Sequence, residues 1–227
     1  MKFRHIIKHL ANKSPRIVSA LCILFNHLPF NNKLTGRSRN SISIHSAALI
    51  KTKIIITGHN NKIIIEPFSC LKHCSIIIHG NNNTVHISKK NILFRAEFYF
   101  EDDNGRIELG QRTSIAGKTH FACIEGCSIS LGEDCMLSGN ITFRTGDSHS
   151  VIDSNGNRIN PSSDITIGDH VWIGNGATVL KGASVSENSI VAAEAVVTKR
   201  YCLRGIVLAG NPARIVKQDI SWRRERI

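Results

Sequence analysis

An all-β solenoid of stacked parallel coils is the fold class this sequence predicts, and three observations carry it. Branched aliphatic residues recur every 22 positions in three registers: Ile63, Val85, Ile107, Ile129; Ile65, Ile87, Leu109, Leu131; and Leu71, Leu93, Ile115, Leu137. After Asp164 the spacing tightens to six, through Ile167, Ile173, Val179, Val185, Val191 and Val197. Polar turn residues keep time with the longer step, because Asn60-Asn61, Asn82-Asn83 and Asp103-Asn104 each precede an apolar pair.

Three sixes close a triangular coil of 18 residues, in which one branched side chain per side points inward and stacks on its equivalent in the next coil. Gly168, Gly174, Ala177, Ala183, Ala192 and Ala195 lie beside those positions, as crowded corners require. The 22-residue step is the same coil with a few added residues, since Leu109, Ile115, Phe121 and Leu131, Leu137, Phe143 keep the six-step inside it. These periods place a solenoid domain over 46–217, after a basic helical segment over 1–45 and before a basic tail over 218–227. With 227 residues the chain needs no second fold.

In the first segment the apolar stretch Ile17–Phe25 is too short to span a bilayer. Lys2, Arg4, Lys8, Lys13 and Arg16 before it imitate a signal peptide, but no small-residue cleavage site closes it. The expectation is a retained amphipathic helix that packs on the solenoid or touches a membrane, in a cytoplasmic protein at the inner membrane face. The seven cysteines are odd in number and lack the Cys-x2-Cys spacing of a zinc knuckle. Cys70/Cys74 and Cys123/Cys127 fall within the apolar pattern and read as small buried thiols of a reducing compartment. A net charge of +12 and pI near 9.7 favour polyanionic partners. Nucleic acid is set aside, because no zinc-finger or aromatic RNA-binding motif accompanies the charge.

The repeat breaks once, between Phe143 and Ile167, in a polar excursion over 144–164. A regular solenoid that tolerates such an interruption tends to place function there. His149 lies in it, and an imidazole can take the proton of a hydroxyl near neutral pH. Asp147 or Asp153 is the expected partner that fixes its tautomer.

The run Asp147-Ser148-His149-Ser150, the block Ile165 to Gly182 with its Trp-Ile-Gly, and Gly210-Asn211-Pro212-Ala213-Arg214 resemble the hexapeptide-repeat acyltransferases, especially the polysaccharide and sialic acid O-acetyltransferases. The likeness is clear over 105–217 and loose over 50–105. It implies a left-handed parallel β-helix, acetyl-CoA as acyl donor, a sugar hydroxyl of an acidic glycan as acceptor, and a homotrimer with the cofactor between neighbouring subunits. It implies further that His149 is the general base and that the Trp172 indole lies beside the thioester, donating to developing negative charge. Gly174, Ala192 and Ala193 then leave room for pantetheine, and Lys199, Arg200, Arg214 and Lys217 meet the CoA phosphates, with Lys181 and Gly210 in the same cofactor set. Arg200, Tyr201, Cys202 and Leu203 depart from the family pattern after the lysine matching Lys199.

Three other readings stay open. One is acetyl transfer to the amine of a nucleotide sugar or to serine. A second is a γ-class carbonic anhydrase using His120, His149 and His170, whose spacing follows no recognisable metal motif. The third is a non-catalytic, partner-binding solenoid. Cys202 is disfavoured as a nucleophile, having no activating motif.

Overall fold

The computed structural model describes residues 31–227 together with Asn26. The stretch Ile17–Phe25 and Cys22 lie outside the described residues. The strands form three sheets, here faces A, B and C, of eight, eight and nine strands, visited in rotation along the chain and parallel except for the last strand, which adds to face C antiparallel. Each strand is two to five residues long and alternates outward and inward side chains. The inward positions are the aliphatics of the periodic pattern.

In register, Ile63, Val85, Ile107 and Ile129 stack on face B, and Leu71, Leu93, Ile115 and Leu137 stack on face C. The six-step residues fall one per face: Ile167 and Val185 on B, Ile173 and Val191 on C, Val179 and Val197 on A, all buried. Face A carries an aromatic stack at its centre, with Phe98 and Phe121 5.2 Å apart and Phe121 and Phe143 4.8 Å apart. Such near-parallel rings fill a wide coil that branched aliphatics alone would leave hollow.

Corner amides explain why asparagines kept time with the apolar registers. Buried Asn61 and Asn83 form a ladder, in which Asn61 N donates to Asn40 Oδ1, Asn83 N to Asn61 Oδ1 and Gly105 N to Asn83 Oδ1, at 2.7–2.8 Å. Each side-chain amide also donates to a carbonyl, Gly80 O for Asn61 and Asp102 O for Asn83. These groups satisfy backbone atoms that the turn withdraws from the sheet ladders.

Two boundaries differ from the sequence expectation. Strands begin at Lys33–Thr35 and Ser41–Ile44, pairing with Lys53–Ile56 and Lys62–Ile65, so residues from 33 onward belong to the solenoid and not to a helical segment. The cause is that Ile42 and Ile44 add one more coil to the face B stack. The basic tail expected over 218–227 folds back onto the solenoid. After the antiparallel strand Arg214–Lys217 the chain returns across the corner between faces B and C, where Trp222 is buried. Among the described residues no helix is long and apolar enough to cross a membrane.

Candidate functional site

The excursion leaves face A after Ile141–Arg144 and rejoins face B at Ile165–Ile167, so it projects from the A–B corner. It is a small hairpin. Ile152 and Arg158 form an antiparallel bridge, and Asp153 Oδ1 accepts from the amides of Asn155 and Asn157 to close the tip. Its base is fixed by charge. Asp147 Oδ2 accepts from Lys181 Nζ at 2.5 Å and from Asn160 Nδ2 at 2.8 Å, while Arg158 pairs with Glu125 at 2.7 Å. The same Asn160 amide donates to the His149 carbonyl at 2.8 Å. At the root a Cβ on Gly146 would meet Ser162 Oγ at 2.1 Å and Ile124 Cδ1 at 2.6 Å, so any larger residue would have to displace these side chains.

His149 is exposed at this corner, and its ring has no hydrogen-bond partner among the described residues. Neither expected carboxylate reaches it. Asp147 is committed to Lys181 and Asn160, and Asp153 to its own turn, because a short side chain in a tight loop bonds the nearest amides first. The hydrogen bonds from Lys181 and Asn160, with the lysine charge, hold the Asp147 carboxyl below its usual range. Lys181, expected to contact the cofactor, is therefore the anchor of the loop.

Trp172 lies exposed on face C, between Met136 and Ile190 in the adjoining coils. The C-terminal strap borders it. Trp222 stacks on His170 with ring centroids 4.0 Å apart and stands 6.2 Å from Trp172. Its indole N–H donates to the His170 carbonyl at 2.8 Å. The His170 ring is held at both nitrogens, by Asp134 Oδ2 at 2.8 Å and by the Trp222 carbonyl at 3.0 Å. Arg224 fastens the strap, donating to Asp134 Oδ1 at 3.0 Å, Ser114 Oγ at 2.7 Å and Cys135 O at 3.1 Å. Burial works against the charge of Asp134, but the hydrogen bonds and charges of His170 and Arg224 prevail and hold its carboxyl low. Trp222, Arg224 and Asp134 were not among the expected site residues. The one signal for them was a second tryptophan set among arginines at 223, 224 and 226.

The remaining expected residues divide between two places. Lys199 and Arg200 lie on the same A–B corner as Lys181 and the excursion, all exposed or half-exposed. Ala192, Ala193 and Gly210 lie at turns leaving face C, and Arg214 and Lys217 are exposed on its last strand. Gly174 does not open a space for pantetheine by itself, since a Cβ there would meet Ala193 N at 2.5 Å and Ala192 C at 2.8 Å in the next coil. Its small size serves coil stacking. The Gly210–Ala213 turn closes the end of the prism, with Ala213 buried and its carbonyl accepting from Tyr201 Oη.

Within the chain, face B separates the A–B corner that carries His149 from Trp172 on face C. A groove of about 620 Å³ runs along face B past Ser130, Gly132, Asp169 and Glu187, touching neither residue. The three histidines of the carbonic anhydrase reading are equally dispersed: His120 pairs with Glu97 on face A, His170 is held under the strap, and His149 is on the excursion. Cys74, Cys123 and Cys135 are buried thiols, their pKa pushed by burial up to about 12, 12 and 11. Cys70 and Cys127 are half-buried and Cys202 is exposed.

Comparison with known proteins agrees with the fold. Residues 164–199 match the family described as bacterial transferase hexapeptide (six repeats). A polysialic acid O-acetyltransferase of Escherichia coli O1:K1 / APEC is 33% identical over 102 residues, 43% of this chain and 32% of that protein. Its counterpart from Neisseria meningitidis is 32% identical over 116 residues, 51% of this chain and 54% of that protein. The chain thus spans about a third to a half of the length of these curated relatives. The crystal structure of the polySia-specific acetyltransferase NeuO superposes with a TM-score of 0.77 at 28% identity, covering 86% of this chain and 88% of that one. The three-faced prism is the left-handed parallel β-helix that the resemblance implied. Residues 164–199 carry the hexapeptide repeat, and the chain as a whole is a left-handed β-helix similar in sequence and structure to the polysialic acid O-acetyltransferases.

Proposed function

We propose that the chain transfers the acetyl group of acetyl-CoA to a hydroxyl of an acidic sugar polymer, with polysialic acid as the acceptor to test first. The observation that carries the reading is the unpartnered imidazole of His149, presented on the one excursion of a scaffold that superposes on a polysialic acid acetyltransferase. His149 takes the proton of the acceptor hydroxyl as its oxygen attacks the thioester carbonyl. The carbon–oxygen bond forms, the carbon–sulfur bond breaks on collapse of the tetrahedral species, and the proton passes to the departing CoA thiolate. No covalent enzyme intermediate is needed. Asp147, Lys181 and Asn160 act by holding the loop, so the imidazole is positioned through its backbone and not through a carboxylate on its ring.

The same reading asks for a second copy of the chain. His149 and Trp172 flank face B of one protomer, whereas a neighbour brings its own face C against the excursion. Val151, Ile152 and Ile159, exposed by 51, 63 and 59%, give that hairpin an apolar surface suited to burial against a neighbour. A homotrimer with acetyl-CoA along each seam satisfies both requirements, with Trp172 beside the thioester and Lys199, Arg200, Arg214 and Lys217 toward the phosphates. The basic N-terminal segment adds peripheral contact with the inner face of a membrane, which vesicle flotation would detect.

Incubation with acetyl-CoA and polysialic acid should release CoA thiol and place acetyl esters on the polymer, and light scattering should give three chains per particle. Thiol release with nucleotide amino sugars or serine and none with the polymer would overturn the acceptor assignment.

A further inference from the structure

Positive charge is distributed unevenly along this prism. Residues 33–65 contain six lysines and arginines and no aspartate or glutamate. Among the described residues a separate line of cations follows one edge, the C–A corner and the adjoining column of face A, while Arg37, Arg39 and Lys62 lie off it at the A–B corner and on face B. Lys51, Lys72, Arg95 and Lys118 are exposed there in four successive coils, with Lys33 and Lys53 alongside as neighbours in register. Adjoining parallel strands are about 4.8 Å apart, so the four coils form a rail about 15 Å long.

Elsewhere the solenoid neutralises charge between coils: Glu66 pairs with His86, Arg112 with Glu133, and Glu125 with Arg158. The six rail cations form no salt bridge among the described residues. Stacked like charges destabilise a sheet, and nothing in folding requires them here. Lys51 and Arg95 also adopt left-handed backbone conformations, φ 49° and 57°, where the equivalent corner of faces A and B uses Asn60, Asn82 and Asn104. Asparagine is the cheaper residue in that conformation, although Lys90 and Arg112 at the B–C corner share it, so the backbone alone does not set the rail apart. An aromatic surface accompanies them: Phe94 lies under the Arg95 guanidinium at 5.1 Å and the Lys72 ammonium at 5.9 Å, with His73 edge-on at 5.9 Å. Cations spaced along a line beside a half-buried aromatic ring suit an extended acidic glycan, which offers one carboxylate per sugar and apolar ring faces between.

We infer that the C–A edge of the first coils is a binding rail for the acidic glycan acceptor, holding the polymer away from the acetyl-transfer centre while single hydroxyls are presented to His149. The inference rests on the acceptor class proposed above. Burial and the nearby charges of Lys51, Lys72 and Arg95 depress the pKa of His73, which makes its imidazole a reporter of the field along the rail.

The test is binding of full-length chain to polysialic acid without acetyl-CoA, over a range of salt, so that it reads the rail whether or not acetyl transfer occurs. The triple variant Lys51→Gln, Lys72→Gln, Arg95→Gln should bind about tenfold more weakly with a shallower salt dependence. The pair Lys89→Gln, Lys90→Gln at the B–C corner should bind as the parent does. Added polymer should raise the His73 pKa seen by NMR, because carboxylates favour the imidazolium. Parental affinity in the triple variant, an equal loss in the Lys89/Lys90 pair, or an unmoved His73 would overturn the rail. So would loss of binding to phosphatidylserine vesicles with polymer affinity unchanged, which would assign the edge to a membrane. Acetyl transfer that persists without rail binding overturns this inference alone; rail binding with no transfer to any polymer overturns the proposed function alone.

Discussion

The coils before the excursion and the coils after it solve one packing problem with different materials. Before it, stacked positions are 22 residues apart, as at Ile107 and Ile129; after it they are 18 apart, as at Ile167 and Val185. The wide coils fill their interior with Phe98, Phe121 and Phe143 and stitch their corners with asparagine amides. The tight coils use valine inside and glycine or alanine at corners, where a Cβ on Gly168 or Gly174 would meet the next coil's backbone within 2.7 Å. Between them a single circuit of 36 residues, Leu131 to Ile167, carries the excursion. The difference teaches that the candidate chemistry hangs on the step in coil size, where neither packing scheme dictates the loop.

That division of labour can be broken by substitution. The largest expected effect is at the step itself. His149→Ala should lower turnover about a hundred- to ten-thousandfold while leaving melting temperature and acetyl-CoA affinity near parental values, as read by steady-state kinetics and calorimetry. Unchanged turnover would remove His149 as the base. In the wide coils Phe121→Ala should cost about 3–5 kcal/mol in denaturant unfolding, through lost burial and a cavity its stacked neighbours cannot close. A comparable loss from Val185→Ala would show that wide and tight coils do not differ as argued. Asn83→Ala leaves the Gly105 amide without its 2.7 Å acceptor and should cost about 1–3 kcal/mol. A change under a few tenths would mean that water replaces the ladder.

The core was legible in the sequence because stacking repeats: every inward aliphatic has a partner at a fixed separation, and period alone pairs them. Lys33–Thr35 escaped notice because the first coil carries few aliphatics, with Ile42 and Ile44 as its main inward signal. The candidate site was legible only in part. The break in period located His149, but nearness in sequence suggested Asp147 as its ring partner, whereas Asp147 reaches Lys181, 34 residues on. No periodicity links those residues, nor Trp222 to His170, 52 residues away. Contacts that occur once leave no repeat to read.

The strap supplies the smallest effects and the finest test of how the two ends of the site are held. Trp222→Ala removes the ring beside Trp172 and should raise KM for acetyl-CoA about three- to tenfold with little change in kcat, whereas a merely structural role would lower stability and leave KM alone. Strap and excursion are both tied by carboxylates held below their usual range, Asp134 by His170 and Arg224 against its burial, Asp147 by Lys181 and Asn160. A depressed folded-state pKa contributes stability that is fully present above the unfolded value of about 3.9 and is lost as pH falls through the lower folded one. Acidification below about pH 4 should therefore release the strap, seen as a change in tryptophan fluorescence, before the aliphatic prism unfolds by circular dichroism. Asp134→Asn should shift the fluorescence toward the released state already at neutral pH, because an amide cannot replace the charge that Arg224 pairs with. If fluorescence and circular dichroism instead change together in both proteins, strap and prism form one cooperative unit, and the ion pairs at the B–C corner belong to the fold as a whole.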